Sequence, residues 1–273
     1  MSSSLQALEP DQPFWLRRAP RQELVGAVAR MTGYQENGRR LNGAVEMASL
    51  IVPLIISFGA PFSIALGRKP VPGDDHASFA AGLYAGHVVM NSGGACACVQ
   101  IDFTPLGAYR FFGLPMRELS SRMVGLDDLA DPEITELRHK LEDAGDWNHR
   151  LDLAEAFVIE RLRRGPALSR AVVSAYRELA FCHGNIRIEA IAGRLGWSRK
   201  HLSQCFQDEI GLSPKSLARI FRFNRTLDLA NRTQQPDWAD LAAECGYADQ
   251  AHLTREFGEF AGATPTGWLA RAA

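Results

Sequence analysis

The chain has 273 residues, 46% of them hydrophobic and 22% charged, with a formal net charge of −1. That length accommodates two domains with separate cores, and 24 Gly with 14 Pro indicate neither a disordered tract nor a fibrous repeat. Residues 166–273 hold 13 Lys or Arg against 11 Asp or Glu, so bulk charge alone argues for no polyanionic partner.

Residues 1 to about 20 are polar, carry Pro10, Pro13 and Pro20, and read as an irregular arm. They lack the cationic start, apolar run and small-residue cleavage site of a signal peptide. From about Leu24 to Phe103 the pattern is mostly strand. Residues 47–66 contain no charge and are long enough to span a bilayer. Pro53 and Gly59-Ala60-Pro61 interrupt them, so two buried strands in a hairpin are expected instead, with no membrane partner. Loops are marked by Pro70, Pro72, Gly73 and Asp74, and again by Asn91, Ser92, Gly93 and Gly94. Val99, Ile101 and Phe103 alternate with Gln100 and Asp102, which places one face inward. Short strands so punctuated predict a β-sandwich or small barrel.

The period becomes helical after Thr104-Pro105. Leu106, Tyr109, Arg110 and Phe111 open a short helix, Pro115 starts another, and Asp131-Pro132 introduces a third that runs to about Asp143. Residues 147–164 form an amphipathic helix through Leu151, Leu153, Ala154, Phe157, Val158, Arg161 and Leu162. This helix is a candidate dimer seam or a packed helix of its own domain. Arg163-Arg164-Gly165-Pro166 ends it and marks the domain boundary, giving domains at 1–164 and 166–273 in an α+β chain.

The second domain contains an internal repeat. Ile191-Ala192 and Gly196 match Leu241-Ala242 and Gly246 at an offset of 50, and Leu202, Phe206, Gly211 and Pro214 match Leu253, Phe257, Gly262 and Pro265 at an offset of 51. Each unit, at about 186–209 and 237–260, has the grammar of a helix-turn-helix: a short apolar helix, a Gly suited to positive φ, and a capped second helix. Ser198 and Asp249 are the expected caps.

Leu202, Cys205 and Phe206, like Leu253 and Phe257, share an inward face. The outward faces then carry Arg199, Lys200, Ser203, Gln204 and Gln207, and Gln250, Ala251, Thr254, Arg255 and Gly258. Arg suits guanine, Gln suits adenine, and Ala or the Thr methyl suits the thymine methyl. Any one of these side chains could simply be solvated, and Arg255 could pair with Glu259 one turn on.

Pro214 to about Asn231 predicts a linking helix of roughly 25 Å. Its Arg219, Arg222 and Arg225 are candidate phosphate contacts or merely a solvated face.

The two stretches IAGRLGWSRKHLSQCFQDEIGLSPKSL and LAAECGYADQAHLTREFGEFAGATP make residues 166–273 resemble the DNA-binding domain of AraC/XylS-type transcriptional regulators. The resemblance implies seven helices, with the third and sixth in adjacent major grooves of double-stranded DNA. It places base-reading roles on Lys200, Ser203 and Gln204, and on Gln250, Ala251, Thr254 and Arg255. Lys200 stands where some relatives have a large aromatic, and Ala251 offers no hydrogen bond. It also implies an N-terminal effector-sensing or dimerisation domain, often a cupin-like barrel followed by helices. The implied partners are DNA, a small-molecule effector, a second copy of the chain and RNA polymerase, in the cytoplasm.

No phosphate-cradling loop, zinc-protease helix or serine elbow occurs, and no catalytic residue, cofactor or metal is expected. Five cysteines, Cys96, Cys98, Cys182, Cys205 and Cys245, fit a reducing compartment. Cys96 and Cys98 would share one strand face, as a thiol pair for metal or redox chemistry or as two small core residues. Three readings follow: a ligand-responsive regulator, a regulator whose first domain only dimerises, and a DNA-directed enzyme using one of those thiols.

Overall fold

A computed structural model describes residues 13–233 and 235–272. The strands in chain order are β1 (Phe14–Arg18), β2 (Val28–Gln35), β3 (Ala44–Glu46), β4 (Val52–Ser57), β5 (Phe62–Leu66), β6 (Asp75–His76), β7 (Phe79–Ala81), β8 (Val88–Ser92), β9 (Ala97–Phe103) and β10 (Met123–Gly125). They make two sheets, β1-β2-β9-β4-β7-β10 and β3-β8-β5-β6, stacked as a sandwich. The pairings are antiparallel.

The alternation in β9 has a cause on both faces. Val99, Ile101 and Phe103 are fully buried beneath helices, while Cys98, Gln100 and Asp102 face the second sheet across a cavity. The first sheet is therefore covered on both sides, which requires helices on its outer face.

Three sequence expectations change here. The arm read for residues 1–20 lies outside the described residues up to position 12, but β1 occupies part of the remainder. Pro13 and Pro20 flank this strand rather than break it. Leu16 is buried, Phe14 stacks on Trp147 at 5.4 Å, and Trp15, itself exposed, lies against Tyr34 at 4.3 Å.

The two strands of residues 47–66 exist, but they are not a hairpin. β4 pairs with β7 and β9 in one sheet, and β5 with β6 and β8 in the other. The Gly59-Ala60-Pro61 turn hands the chain between sheets. The amides of Phe58 and Gly59 both donate to the Ala97 carbonyl, at 2.9 and 3.2 Å. A Cβ at Gly59 would lie 2.4 Å from Ala97 N, so the close approach needs glycine. Finally, Asn91 and Ser92 end β8 instead of opening a loop, because Leu41 N and Gly43 N donate to their side chains.

The helices that follow are α1 (Pro105–Phe112), α2 (Leu126–Leu129), α3 (Pro132–Asp143) and α4 (Trp147–Arg164). Thr104, Asp131 and Asp146 cap α1, α3 and α4 with side-chain oxygens. The helix expected at Pro115 is a single 3-10 turn, Met116–Glu118. Leu151, Ala154, Val158 and Leu162 of α4 are buried within the chain against the first sheet, α1 and α3. The apolar stripe of α4 thus packs inside the protomer.

Seven helices complete the chain: α5 (Arg170–Phe181), α6 (Ile188–Arg194), α7 (Arg199–Glu209), α8 (Pro214–Ala230), α9 (Trp238–Glu244), α10 (Gln250–Ala261) and α11 (Pro265–Ala272). They meet the sandwich at the end of α10. Ala48 N donates to Phe260 O at 2.9 Å, and His87 N donates to Glu259 O at 3.1 Å. These carbonyls in the last turn of α10 thus gain donors from the strand-rich part.

Candidate nucleic-acid interface

The repeat folds into two matched units, α6–α7 and α9–α10. Gly196 and Gly246 take φ of +67° and +77° after the first helix of each. Ser198 Oγ accepts from His201 N at 3.1 Å, and Asp249 Oδ1 accepts from His252 N at 2.6 Å. Leu202, Phe206, Leu253 and Phe257 are buried. Packing of these residues leaves one polar strip on each second helix.

On α7, Arg199, Lys200 and Gln204 are exposed and Ser203 is half-buried. On α10, Gln250, Ala251 and Arg255 are exposed. Thr254 is half-buried, and its hydroxyl donates to Gln250 O at 2.9 Å.

The charged members differ in their partners. Arg199 Nη1 donates to Glu189 Oε1 of α6 at 2.7 Å. Among the described residues, Lys200 and Arg255 have no carboxylate partner. Glu259, the partner that sequence spacing offered to Arg255, is taken by Arg219.

Arg219, Arg222 and Arg225 of α8 are not three free cations. Arg219 Nε lies 2.7 Å from Glu256 Oε2 and also bonds Glu259. Arg222 Nη2 lies 3.0 Å from Glu256 Oε2, with its guanidinium 4.5 Å from the centre of the Tyr247 ring. Arg225 reaches Glu244 of α9 at 3.4 Å. Burial opposes the charge on Arg219, but the hydrogen bonds it donates to Glu259 and Glu256 outweigh it and raise its pKa. Glu256 is the residue sequence reading missed. Its spacing from Leu253, Phe257 and Phe260 on the buried side of α10 was the available signal.

In the sandwich, Cys96 and Cys98 are buried among Tyr34, Ile55, Phe62 and Phe79. Burial pushes the Cys96 thiol up to about 12 and the Cys98 thiol higher still. Both are protonated core residues at neutral pH, poor in the thiolate that redox or metal chemistry needs. No His/Cys/Asp/Glu group able to hold a metal occurs among the described residues. No helix there is long and apolar enough to cross a membrane.

Comparison with known proteins agrees with this geometry. Residues 191–271 match the family model described as a helix-turn-helix domain. The chain is 34% identical over 82 residues to a probable transcription factor, PqrA, of Proteus vulgaris, covering 29% of this chain and 65% of that one. It is 29% identical over 69 residues to an uncharacterised HTH-type transcriptional regulator, YbfI, of Bacillus subtilis, covering 25% of this chain and 24% of that one. The match therefore spans less than two thirds of either relative. Among solved structures, ToxT from Vibrio cholerae aligns over 85% of this chain and 95% of its own, at 11% identity and a TM-score of 0.43. Residues 191–271 are thus a helix-turn-helix domain, and this part of the chain is similar to transcription regulators.

Proposed function

We propose that the chain is a sequence-specific transcriptional regulator that reads double-stranded DNA with α7 and α10 in the major groove. The observation that carries this reading is the repetition of one device: a capped second helix whose apolar side is buried and whose polar strip is left open. Arg199, Lys200, Ser203 and Gln204 form one reading strip, and Gln250, Ala251, Thr254 and Arg255 form the other. Arg255 and Lys200 contribute most, because no carboxylate competes for them. Arg219, Arg222 and Arg225 serve chiefly to hold α9 and α10 against α8.

The functional division falls between residues 1–164 and 166–273, with the first part controlling the second. A small molecule in the sandwich cavity is the favoured control. Met47, Ala48 and Gly86 line that cavity, and Ala48 N and the adjacent His87 N donate to α10. A change in the cavity wall therefore acts on a reading helix through two backbone hydrogen bonds.

Genome-wide mapping of bound sites, followed by affinity measurement on the recovered sequence, tests the DNA reading. Absence of any sequence preference over random DNA at physiological salt overturns it.

A further inference from the structure

Strand register fixes what stands at each level of the cavity, which measures about 330 Å3. Arg30 is opposite Asp102, Thr32 opposite Gln100 and Tyr34 opposite Cys98 across β2 and β9. On the facing sheet, Glu46 and Leu66 both pair with Val88, and Phe62 pairs with Ser92 at the far end. The levels meet across the gap. Tyr34 and Phe62 have ring centroids 6.2 Å apart, and Glu46 interacts electrostatically with both Asp102 and Arg30. The cavity thus has a charged end and an aromatic end. They are separated by the stretch of β2 from Arg30 to Tyr34, roughly 13 Å at a strand rise of about 3.3 Å per residue.

The charged end is not neutral. Asp102 accepts from Arg30 Nε and Nη2 at 3.0 and 2.7 Å, and from Gln100 Nε2 at 2.7 Å, so both of its oxygens are matched. Glu46 opens into the cavity and has no hydrogen-bond or ion-pair partner for its carboxylate among the described residues. Glu46 and Arg30 are both exposed, so this end is the mouth of the cavity, and one guanidinium against two carboxylates leaves an excess negative charge there. That charge attracts a cationic head and repels an anionic one, and a neutral head gains nothing from it.

We propose that the cavity binds an elongated monocation, with an ammonium head set against Glu46 and an apolar, preferably aromatic, tail lying against the stacked Tyr34 and Phe62 rings. This rests on the effector reading of the cavity and commits it to one charge class. The head gains a charge-assisted contact with Glu46, and the tail is enclosed by side chains that already form a small core.

The test is calorimetric titration of the full chain with phenylbutylamine, phenylbutanol and phenylbutyrate, which share a ring and chain and differ at the head. The amine is expected to bind tightest at neutral pH. Glu46→Gln should weaken the amine about tenfold or more and leave the alcohol unchanged. Equal affinity for amine and alcohol, tighter binding of phenylbutyrate, no binding of any of the three, or an amine affinity untouched by Glu46→Gln would each overturn the assignment. The three-probe comparison on the unmodified chain decides the matter even if the variant folds poorly. Measuring DNA affinity with and without the amine separates the two readings. Tight amine binding with unchanged DNA affinity supports this assignment and removes effector control, whereas tight phenylbutyrate binding that changes DNA affinity does the reverse.

Discussion

Arg222 of α8 and Glu256 of α10 face each other at 3.0 Å, and this contact sets α10 against the helix that links the two helix-turn-helix units. The Glu256 side chain is 2% exposed and also receives Arg219. Glu256→Gln leaves Arg222 without a carboxylate and Arg219 with Glu259 alone, and loss of one member of a buried pair costs about 3–5 kcal/mol. Urea denaturation is expected to show a loss near the lower end, since Arg222 keeps 15% exposure and its Tyr247 contact. Salt dependence checks the role. Arg222→Ala should lower stability while leaving the slope of log affinity against log salt unchanged, whereas removal of a true phosphate contact reduces that slope by about 1.

A second carboxylate, Glu36, ties the two sheets together and gives stability a pH signature. It is 5% exposed, accepts from Tyr34 Oη at 2.9 Å and from Cys96 N at 3.0 Å, and also bonds Ser92 Oγ on β8. Burial pushes its pKa up, but the hydrogen bonds from Ser92, Cys96 and Tyr34 outweigh burial and hold it below the ordinary value. A carboxylate lowered in the folded state contributes fully above its unfolded pKa, and the contribution is lost as pH falls through the folded pKa. Glu36→Gln should therefore lower the melting temperature at neutral pH. The gap to the unmodified chain should shrink on acidification below the normal glutamate pKa of about 4.3. A gap that stays constant across that acid range would show that Glu36 is not the titrating clamp.

These two carboxylates also mark the limit of what sequence reading shows. The helix-turn-helix units are legible because their determinants are local: Ser198 lies three residues before the amide it caps, and Gly196 stands just past the C-cap of its helix. Arg222 and Glu256 are 34 residues apart in sequence, and only the crossing of α8 and α10 brings them together. The two strands of residues 47–66 are visible as apolar runs, but a turn that closes a hairpin and a turn that crosses between sheets use the same Gly and Pro. What separates them is the approach of Gly59 to Ala97 from a distant strand. The charged end of the cavity is hidden for the same reason, since Glu46 and Asp102 sit on different sheets.

Gly262 offers a test of the seam between the strand-rich part and α10. It terminates α10 at φ +64°, with its amide donating to Gly258 O at 3.0 Å, and a Cβ there would fall 2.9 Å from the His87 ring. Gly262→Ala should cost about 1–2 kcal/mol for the left-handed backbone and displace His87. Hydrogen exchange at the Ala48 and His87 amides, which donate to α10, should accelerate. Gly258→Ala is the control. Its Cβ would meet nothing within 4 Å, so it should stabilise the helix by up to about 1 kcal/mol and leave those two amides unchanged. Equal exchange rates in both variants would separate the seam from the end of α10.

Base reading by α10 is tested by removing its unpaired cation. Arg255 is exposed and has no carboxylate partner among the described residues, so its guanidinium can engage a base edge without first leaving an ion pair. Arg255→Ala should weaken binding at a cognate site by about 1–3 kcal/mol and relax preference at one base position, with a much smaller change on random DNA. Arg199 behaves differently because Glu189 holds it at 2.7 Å in an exposed pair. Such exposed pairs contribute little to stability, so Glu189→Gln should leave the fold intact and tighten DNA binding modestly, by freeing Arg199 and removing a negative charge near the phosphates. If Arg255→Ala lowered cognate and random affinity equally, the residue would be a phosphate contact, and the reading strip of α10 would have to be redrawn around Gln250, Ala251 and Thr254.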